Sequence, residues 1–403
     1  MYNFNEKADR MNERCRKWDR KVIEEHFGRV PEDFIPLWIA DMDFKIPETI
    51  SNVFQKAVER GVFGYTYVYD EFYDAVIHWQ RDMHHVEVEK EQITLTYGTV
   101  STLHYVIQAF CGEGDKVLMN TPIYNPFYHG AIKQRIKCLY NTLSIVNNRY
   151  YIDFQRLETQ LKEEKPKVYL FCSPHNPSGR VWSKQELLTV STLCKKYHTI
   201  LVVDEVHAEQ ILFGDFTSAL SMEKDLTDNV ILLASPNKAF NLGGLKTSYA
   251  IIPNPEIRKK FKTLLERNSI TSPNTFGIMG LIAAYANSRQ WLEAVTVYIK
   301  KNYEFFESYI SERIPELQIM QMESSYLVWV NIEKTGLSSK ALTEILAAQY
   351  GVLVEDGNHF VRDGEGWIRV NLGTQRENII EAVRRIESCI RAIDPRRGYL
   401  ILR

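Results

Sequence analysis

Short uninterrupted hydrophobic runs alternate with longer amphipathic segments between Glu91 and Pro253. Strands that are covered on both faces have this unbroken apolar character. Two intervening segments, 101–110 and 184–197, carry apolar residues at helical spacing. Repetition of strands and helices predicts a largely parallel sheet with right-handed crossovers, and therefore an α/β domain. The predicted strands are 93–96, 117–119, 168–172, 200–203, 230–234 and 249–252.

The remainder of the chain follows a different pattern. A long helical stretch follows Asn274 and is broken by Pro315. Strands at 326–332, 352–354 and 367–372 and helices at 338–350 and 376–393 then predict a smaller α+β domain. We therefore divide the chain into an N-terminal segment that joins the small domain (1–47), a large domain (48–285) and a C-terminal small domain (286–403).

Charge and composition exclude several classes of function. The chain has 403 residues, with 49 Lys and Arg against 51 Asp and Glu, so no overall basic field favours nucleic acid. No segment approaches the ~18 consecutive apolar residues of a membrane span. The N-terminus is charged and has no apolar core for a secretory signal. We expect a cytoplasmic globular protein without nucleic-acid or membrane partners.

Common cofactor and metal motifs are missing from the sequence. The six cysteines include no CxxC pair and there is no HExxH motif, so we expect no metal. Gly112 and Gly114 begin like a dinucleotide fingerprint, but the third glycine is missing. There is also no Walker lysine loop and no GxSxG motif, which disfavours nucleotide-binding and α/β-hydrolase functions.

The loop after the predicted strand at 230–234 carries the most informative candidate, Lys238. Taken alone, this lysine would be interpreted as a solvated surface residue. However, Ser235 offers a hydroxyl three residues earlier, the two glycines at 243–244 permit close backbone approach, and Lys246 supplies a second cation. Together these residues predict an anion site beside an amine that can form a Schiff base.

Asp204 directly follows four apolar residues, so we expect its carboxylate at the carboxyl edge of the sheet, where ligands bind. Loss of hydration there would be costly for the carboxylate unless a cation lay beside it. A protonated pyridine nitrogen is such a cation. The structural alternative for Asp204 is a helix N-cap.

Two further loops carry candidates at the same edge. Asn176 lies between Pro174 and Pro177, which stiffen the turn and hold an amide that can donate a hydrogen bond to a phenolate oxygen. The Gly-Thr-Val sequence at 98–100 joins a strand to a helix. Backbone N–H groups at such a helix N-terminus can bind a phosphate.

In their order along the chain, the four loops resemble those of the fold-type I pyridoxal-phosphate enzymes, the class I/II aminotransferase superfamily. The resemblance extends from about residue 20 to about residue 393. It implies a large α/β domain with a mostly parallel, seven-stranded type of sheet between layers of helices, and a smaller α+β domain. It also implies pyridoxal 5'-phosphate as cofactor, a small amino-acid substrate and a homodimer with shared active sites.

The resemblance also implies a role for each matching residue. Lys238 would be the Schiff-base lysine, Asp204 the partner of the pyridine nitrogen and Asn176 the ligand of the phenolic oxygen. Tyr124 resembles the aromatic residue that stacks on the ring, and with Lys238 and Asp204 it completes the predicted catalytic set. Arg369 resembles the arginine that binds the substrate α-carboxylate, a bidentate task suited to guanidinium. The predicted phosphate ligands are Gly98, Thr99, Val100, Ser235, Lys246 and Tyr65, the last lent by the neighbouring subunit.

Two features bear on the branch of the superfamily. Lys246 stands where the superfamily usually has a phosphate-binding arginine, and His207 stands where many aminotransferases have a tyrosine. His207 and the segment 36–44 resemble the cystathionine β-lyase-like carbon–sulfur lyases. This similarity implies that His207 also binds the cofactor. It further implies that Ala40 and Asp41 bind the substrate together with Asn176 and Arg369. Without the resemblance, His207 would be interpreted as a satisfied polar residue.

Three hypotheses follow. The first is a β-lyase that cleaves cystathionine or cysteine S-conjugates to thiol, pyruvate and ammonia. The second is an aminotransferase of neutral or aromatic amino acids. The third, from a non-enzyme class, is a cofactor-binding regulator that acts through protein contacts, for which an intact lysine, aspartate and arginine would be superfluous.

Overall fold

The computed structural model describes residues 2–11, 13–394 and 399–400. The longest helix has 25 residues, but no helix in these ranges is both long and apolar enough to cross a membrane. The helices are α1 (Arg20–Phe27), α2 (Glu48–Arg60), α3 (Asp70–His84), α4 (Thr99–Phe110), α5 (Asn125–Ile132), α6 (Phe154–Glu164), α7 (Lys184–Lys196), α8 (Lys224–Thr227), α9 (Pro255–Arg267), α10 (Thr275–Asn287), α11 (Arg289–Arg313), α12 (Ser339–Tyr350) and α13 (Arg376–Ala392).

The strands form two principal sheets and three short pairs. They are β1 (Ile35–Leu37), β2 (Ile93–Thr96), β3 (Lys116–Thr121), β4 (Ile123–Tyr124), β5 (Lys137–Thr142), β6 (Ser144–Val146), β7 (Arg149–Tyr151), β8 (Val168–Cys172), β9 (Ile200–Asp204), β10 (Val230–Ala234), β11 (Ser248–Ile251), β12 (Gln318–Ile319), β13 (Leu327–Asn331), β14 (Val352–Asp356), β15 (Phe360–Val361), β16 (Trp367–Asn371), β17 (Ile393–Asp394) and β18 (Tyr399–Leu400).

The large sheet has seven strands in the order β2-β11-β10-β9-β8-β3-β5, and only β11 is antiparallel to its neighbours. Successive residues of each central strand enter opposite layers, because side chains alternate across a sheet. For example, Val202 belongs to the apolar cluster that includes residues of α4 and α9, whereas Val203 belongs to the cluster that includes residues of α3, α7 and α10. The predicted α/β fold is therefore confirmed, and the six predicted strands all lie in this sheet.

The small sheet has the order β1-β14-β16-β13-β12. Its edge strand β1 comes from the N-terminal segment and pairs in parallel with β14, with Ile35 opposite Val352. Helices α12 and α13 contact each other, and both contact β14. This pairing accords with an N-terminal segment that joins the small domain, while the domain boundaries at 47 and 285 stay a prediction.

The predicted long helix after Asn274 is wrong in one respect, because the structure has two helices there. They are α10 and α11, and Ser288 separates them. The Ser288 hydroxyl donates a hydrogen bond to the carbonyl of Ala283 (2.9 Å) and lies 2.6 Å from the hydroxyl of Thr49. The Ser288 carbonyl accepts hydrogen bonds from the first turn of α11. A serine that competes locally for backbone hydrogen bonds thus ends one helix and starts the next.

Candidate active site

A cavity of about 1020 Å³ opens at the carboxyl edge of the large sheet. Its lining includes eleven of the predicted site residues: Ala40, Asp41, Gly98, Thr99, Val100, Tyr124, Asn176, Asp204, His207, Lys238 and Lys246. A side chamber of about 450 Å³ shares Ala40, Tyr124 and Lys238 with the cavity and adds Arg369. The structure therefore brings together all the predicted site residues except Ser235 and Tyr65.

Lys238 lies in the loop after β10, and its Nζ donates a hydrogen bond to the carbonyl of Ala40 at 2.6 Å. Burial of the amine, with the nearby charge of Arg369, lowers the pKa of Lys238 to about 8. An unprotonated amine is the nucleophilic form, so the surroundings of Lys238 favour reaction with a carbonyl group. A single backbone acceptor holds the amine towards the cavity.

Asp204 ends β9, as the sequence predicts, and its side chain is only 5% exposed. Its carboxylate accepts one backbone hydrogen bond, from the amide of Val206 at 3.2 Å. Burial raises the pKa of Asp204 to about 7, although that bond and the charge of Lys238 act in the opposite direction. Within the described residues no helix begins directly after Asp204, which weighs against the N-cap alternative.

Asn176 and Arg369 contact each other across the site. The Arg369 Nη1 donates to the Asn176 Oδ1 (3.2 Å), and Nη2 donates to the carbonyl of Trp38 (3.1 Å). Among the described residues, none accepts a hydrogen bond from the Asn176 Nδ2, which remains available to a ligand in the cavity. Arg369 lies on β16 over the ring of Phe360, and its Nη2 is 3.8 Å from the Glu355 carboxylate.

Tyr124 lies at the junction of the cavity and the side chamber. It ends the two-residue strand β4, whose partner β15 places Phe360 opposite Tyr124. This pairing links the large-sheet region to the small-sheet region beside Arg369. With 38% of its surface exposed, the Tyr124 ring is available to stack on a planar ligand.

The predicted phosphate-binding region lies at the start of α4. Gly98 has a φ of 94°, a conformation that favours glycine, and its N–H donates to the Ser248 hydroxyl at 2.8 Å. That N–H is therefore engaged within the protein, and Thr99 and Val100 begin the helix with its free N–H groups. A Cβ placed on Gly98 would lie 4.0 Å from the Lys246 Cδ, so the Lys246 side chain reaches this helix start.

Two predicted phosphate ligands lie outside the cavity. The Ser235 hydroxyl donates to the Thr247 carbonyl (2.6 Å) and accepts from the Asn237 amide (3.1 Å), and it is buried inside its own loop. These contacts indicate that Ser235 shapes the loop. Tyr65 lies between α2 and α3 and is fully exposed. Within one chain Tyr65 does not contribute to the site.

His207 is buried beside the cavity, three residues after Asp204. Burial and the nearby cations Lys238 and Arg369 lower the pKa of His207 well below its usual value, so the imidazole is neutral. Its Nδ1 lies 3.3 Å from the hydroxyl of Ser325. That His207 contacts the cofactor stays a prediction. The contact with Ser325 is equally consistent with a buried polar residue whose hydrogen bonding is satisfied within the protein.

Sequence reasoning missed the network that positions the N-terminal side of the cavity. Lys17 is completely buried, and its Nζ donates to Asp43 Oδ2 (2.9 Å) and to the carbonyl of Asp41 (3.2 Å). Arg10 binds the carboxylates of both aspartates. Asn371 donates to the carbonyls of Ile39 and Asp41. No motif marks these residues, because Lys17 and Arg10 are distant in sequence from Asn371 and come together only in the folded chain.

Comparisons with known proteins identify this arrangement. A family model described as aminotransferase class I and II matches residues 32–386. The chain is 35% identical over 389 residues to cystathionine beta-lyase PatB from Bacillus subtilis (strain 168), covering 96% of this chain and 100% of that protein.

Solved structures agree with this match. Cystalysin from Treponema denticola, which contains a pyridoxal 5'-phosphate cofactor, superimposes with a TM-score of 0.94 at 30% identity, over 98% of this chain and 100% of that one. The PLP-bound C-S lyase from Staphylococcus hominis has a TM-score of 0.88 at 28% identity, over 97% of this chain and 98% of that one.

Proposed function

The chain belongs to the class I and II aminotransferase family, and on this premise we propose that it is a pyridoxal-phosphate-dependent carbon–sulfur β-lyase. Its substrates are cystathionine or related cysteine S-conjugates, which it converts to a thiol, pyruvate and ammonia. The observation that carries the proposal is the convergence of Lys238, Asp204, Asn176 and Arg369 on one cavity. The similarity over nearly the full chain to a cystathionine β-lyase supports the lyase branch.

Four features of the site fit pyridoxal phosphate. The Lys238 amine has a lowered pKa of about 8 and faces the cavity, where it can attach the cofactor covalently. Asp204 is a buried carboxylate that lacks a salt-bridge partner among the described residues, and a protonated ring nitrogen would supply that partner. The free Asn176 Nδ2 can donate to the phenolic oxygen. The first turn of α4, with Lys246, can bind the phosphate.

The bound cofactor supplies an electron-withdrawing ring that accepts the electron pair left when the substrate loses its α-proton. The protein supplies the charges around it. Asp204 would hold a proton on the ring nitrogen, because a carboxylate and a protonated ring at that position stabilise each other's charges. Lys238 Nζ, which lies at the same cavity, would take the α-proton as a general base.

Arg369 and Asn176 orient the substrate. The Arg369 guanidinium is already fixed by Asn176 and the Trp38 carbonyl, so it can bind the α-carboxylate without further ordering. This anchor sets the position of the α-carbon relative to Lys238. A sulfur on the adjacent carbon can then leave as thiolate when the carbon–sulfur bond breaks.

We propose a homodimer in which Tyr65 contributes to the partner's site. Tyr65 belongs to an irregular segment between α2 and α3 in which Val62, Phe63 and Tyr67 are also more than half exposed. A run of exposed apolar side chains supports an interface. We also propose a cytoplasmic location, which the six free cysteines of the chain support.

In the deciding experiment, the purified holoenzyme is incubated with L-cystathionine in the absence of a keto-acid acceptor, and the products are measured. The proposal expects stoichiometric pyruvate, ammonia and thiol. If product forms only after a keto acid is added, the protein is an aminotransferase instead. If neither reaction occurs while the cofactor remains bound, the regulator hypothesis takes precedence, and it would require partner binding that survives loss of Lys238.

A further inference from the structure

Two histidines and a glutamate converge at the side chamber beside Arg369, although no metal motif is visible in the sequence. They are His26 at the end of α1, Glu355 on β14 and His359 in the turn that follows β14. One ligand atom from each residue lies within 4.8 Å of the other two. All three residues line the chamber.

The contacts of this cluster leave donor atoms available. His359 Nδ1 is 2.7 Å from Glu355 Oε1, which fixes the ring beside the carboxylate; an ion shared by these two atoms would replace that hydrogen bond. His26 stacks on Trp38 at 4.8 Å and lies 5.2 Å from the His359 ring, but neither of its ring nitrogens has a hydrogen-bond partner among the described residues. Ring contacts thus position the His26 side chain and leave its nitrogens available.

We propose that His26, Glu355 and His359 form a binding site for a divalent transition metal, of which Zn²⁺ is the representative. Two imidazoles and one carboxylate are a ligand set that Zn²⁺ accepts, with a fourth position left for water. The existing separations require only a small closure of the side chains. Sequence motifs do not suggest this cluster, because His26 lies more than 300 residues before Glu355 and His359.

The position of Glu355 couples this metal to the substrate site. Its Oε2 is 3.8 Å from the Arg369 Nη2, so its negative charge opposes a substrate carboxylate at the same guanidinium. A bound cation neutralises that charge. Metal and substrate carboxylate therefore favour each other's binding, as reciprocal linkage requires.

The first test measures Zn²⁺ binding to the full-length holoenzyme by equilibrium dialysis with atomic absorption. Wild type should bind one Zn²⁺ per chain, and His26→Gln and His359→Gln should each weaken binding by at least the roughly 10–100-fold typical of lost outer-shell partners. His78→Gln, which changes an exposed histidine on α3, should bind like wild type. Melting temperature and cofactor absorption establish that each variant is folded.

Unchanged binding in both His26→Gln and His359→Gln would overturn the site. Cys15 is a free cysteine that lines the main cavity, so loss of binding in Cys15→Ser, with retention in the histidine variants, would also overturn the site and assign the ion to that thiol. The second readout rests on the proposed function: saturating Zn²⁺ should lower the KM for cystathionine in wild type and leave it unchanged in His26→Gln. A wild-type KM that does not fall would refute the coupling. Dialysis needs no turnover, so failure of the lyase assay leaves the metal test intact.

Discussion

Replacing Arg369 by lysine tests how the substrate carboxylate is held. The two Nη atoms of Arg369 are anchored on Asn176 and on the Trp38 carbonyl, and the residue is 3% exposed. A lysine would retain one positive charge but could not present two parallel N–H groups to a carboxylate. The loss of one charge-assisted hydrogen bond, about 1.5–3 kcal/mol, corresponds to a rise in KM of roughly 10–150-fold.

The assay is steady-state pyruvate formation from cystathionine, with cofactor content measured by absorbance on the same samples. We expect Arg369→Lys to raise KM within that range while the cofactor remains bound, because the residues proposed to hold the cofactor are unchanged. Arg362→Lys is the matched control. Arg362 is exposed and lies over the ring of Tyr140, and it does not line the cavity.

One result would refute this reasoning directly. If Arg369→Lys released the cofactor and left the KM of the reconstituted enzyme unchanged, Arg369 would belong to the cofactor site or to the packing of the domain. A similar KM increase in Arg362→Lys would show that the assay responds to the general loss of an arginine. In either case the proposed carboxylate contact would be wrong.

Three further predictions follow from the structure. Lys238→Ala should abolish turnover and the visible absorption of the covalently attached cofactor, and retention of both would reject the assignment. Lys238→Ala mixed with Tyr65→Ala should regain activity after demonstrated subunit exchange, because one of the two sites then has both native residues. Lys17→Met should lower the free energy of unfolding in urea by about 3–5 kcal/mol at pH 7. Burial raises the pKa of Asp43, but Lys17 and Arg10 outweigh it and lower that pKa. This stabilisation is present above the unfolded pKa of about 4 and is lost as pH falls through the folded value, so wild type and Lys17→Met should converge in acid. A pH-independent difference would contradict this origin.

The sequence predicted the central strands well because both of their faces are buried. β8 and β10 match the predicted ranges residue for residue, because each strand coincides with one uninterrupted run of five apolar residues. Strand β5 was missed. It is an edge strand with the polar residues Lys137, Asn141 and Thr142, so its pattern resembles that of a loop.

The candidate site was predictable where side chains follow strand ends. Asp204 ends β9 and Lys238 lies in the loop after β10, and these two strands are parallel neighbours, so topology places both residues at the same edge. Ser235 shows the limit of this reasoning. The sequence indicates a hydroxyl near the predicted anion site, but not that Thr247 and Asn237 engage it.

The N-terminal side of the cavity illustrates a deeper limit. The contact that holds the Lys238 amine is the backbone carbonyl of Ala40, which any residue could provide. Ala40 is placed there because β1 pairs with β14 and because Lys17 and Asn371 bind the next carbonyl, that of Asp41. Function at this position therefore depends on where the backbone runs and not on the identity of the contacting side chain. A sequence motif can report the side chains of a site, but such a backbone contact requires the folded chain.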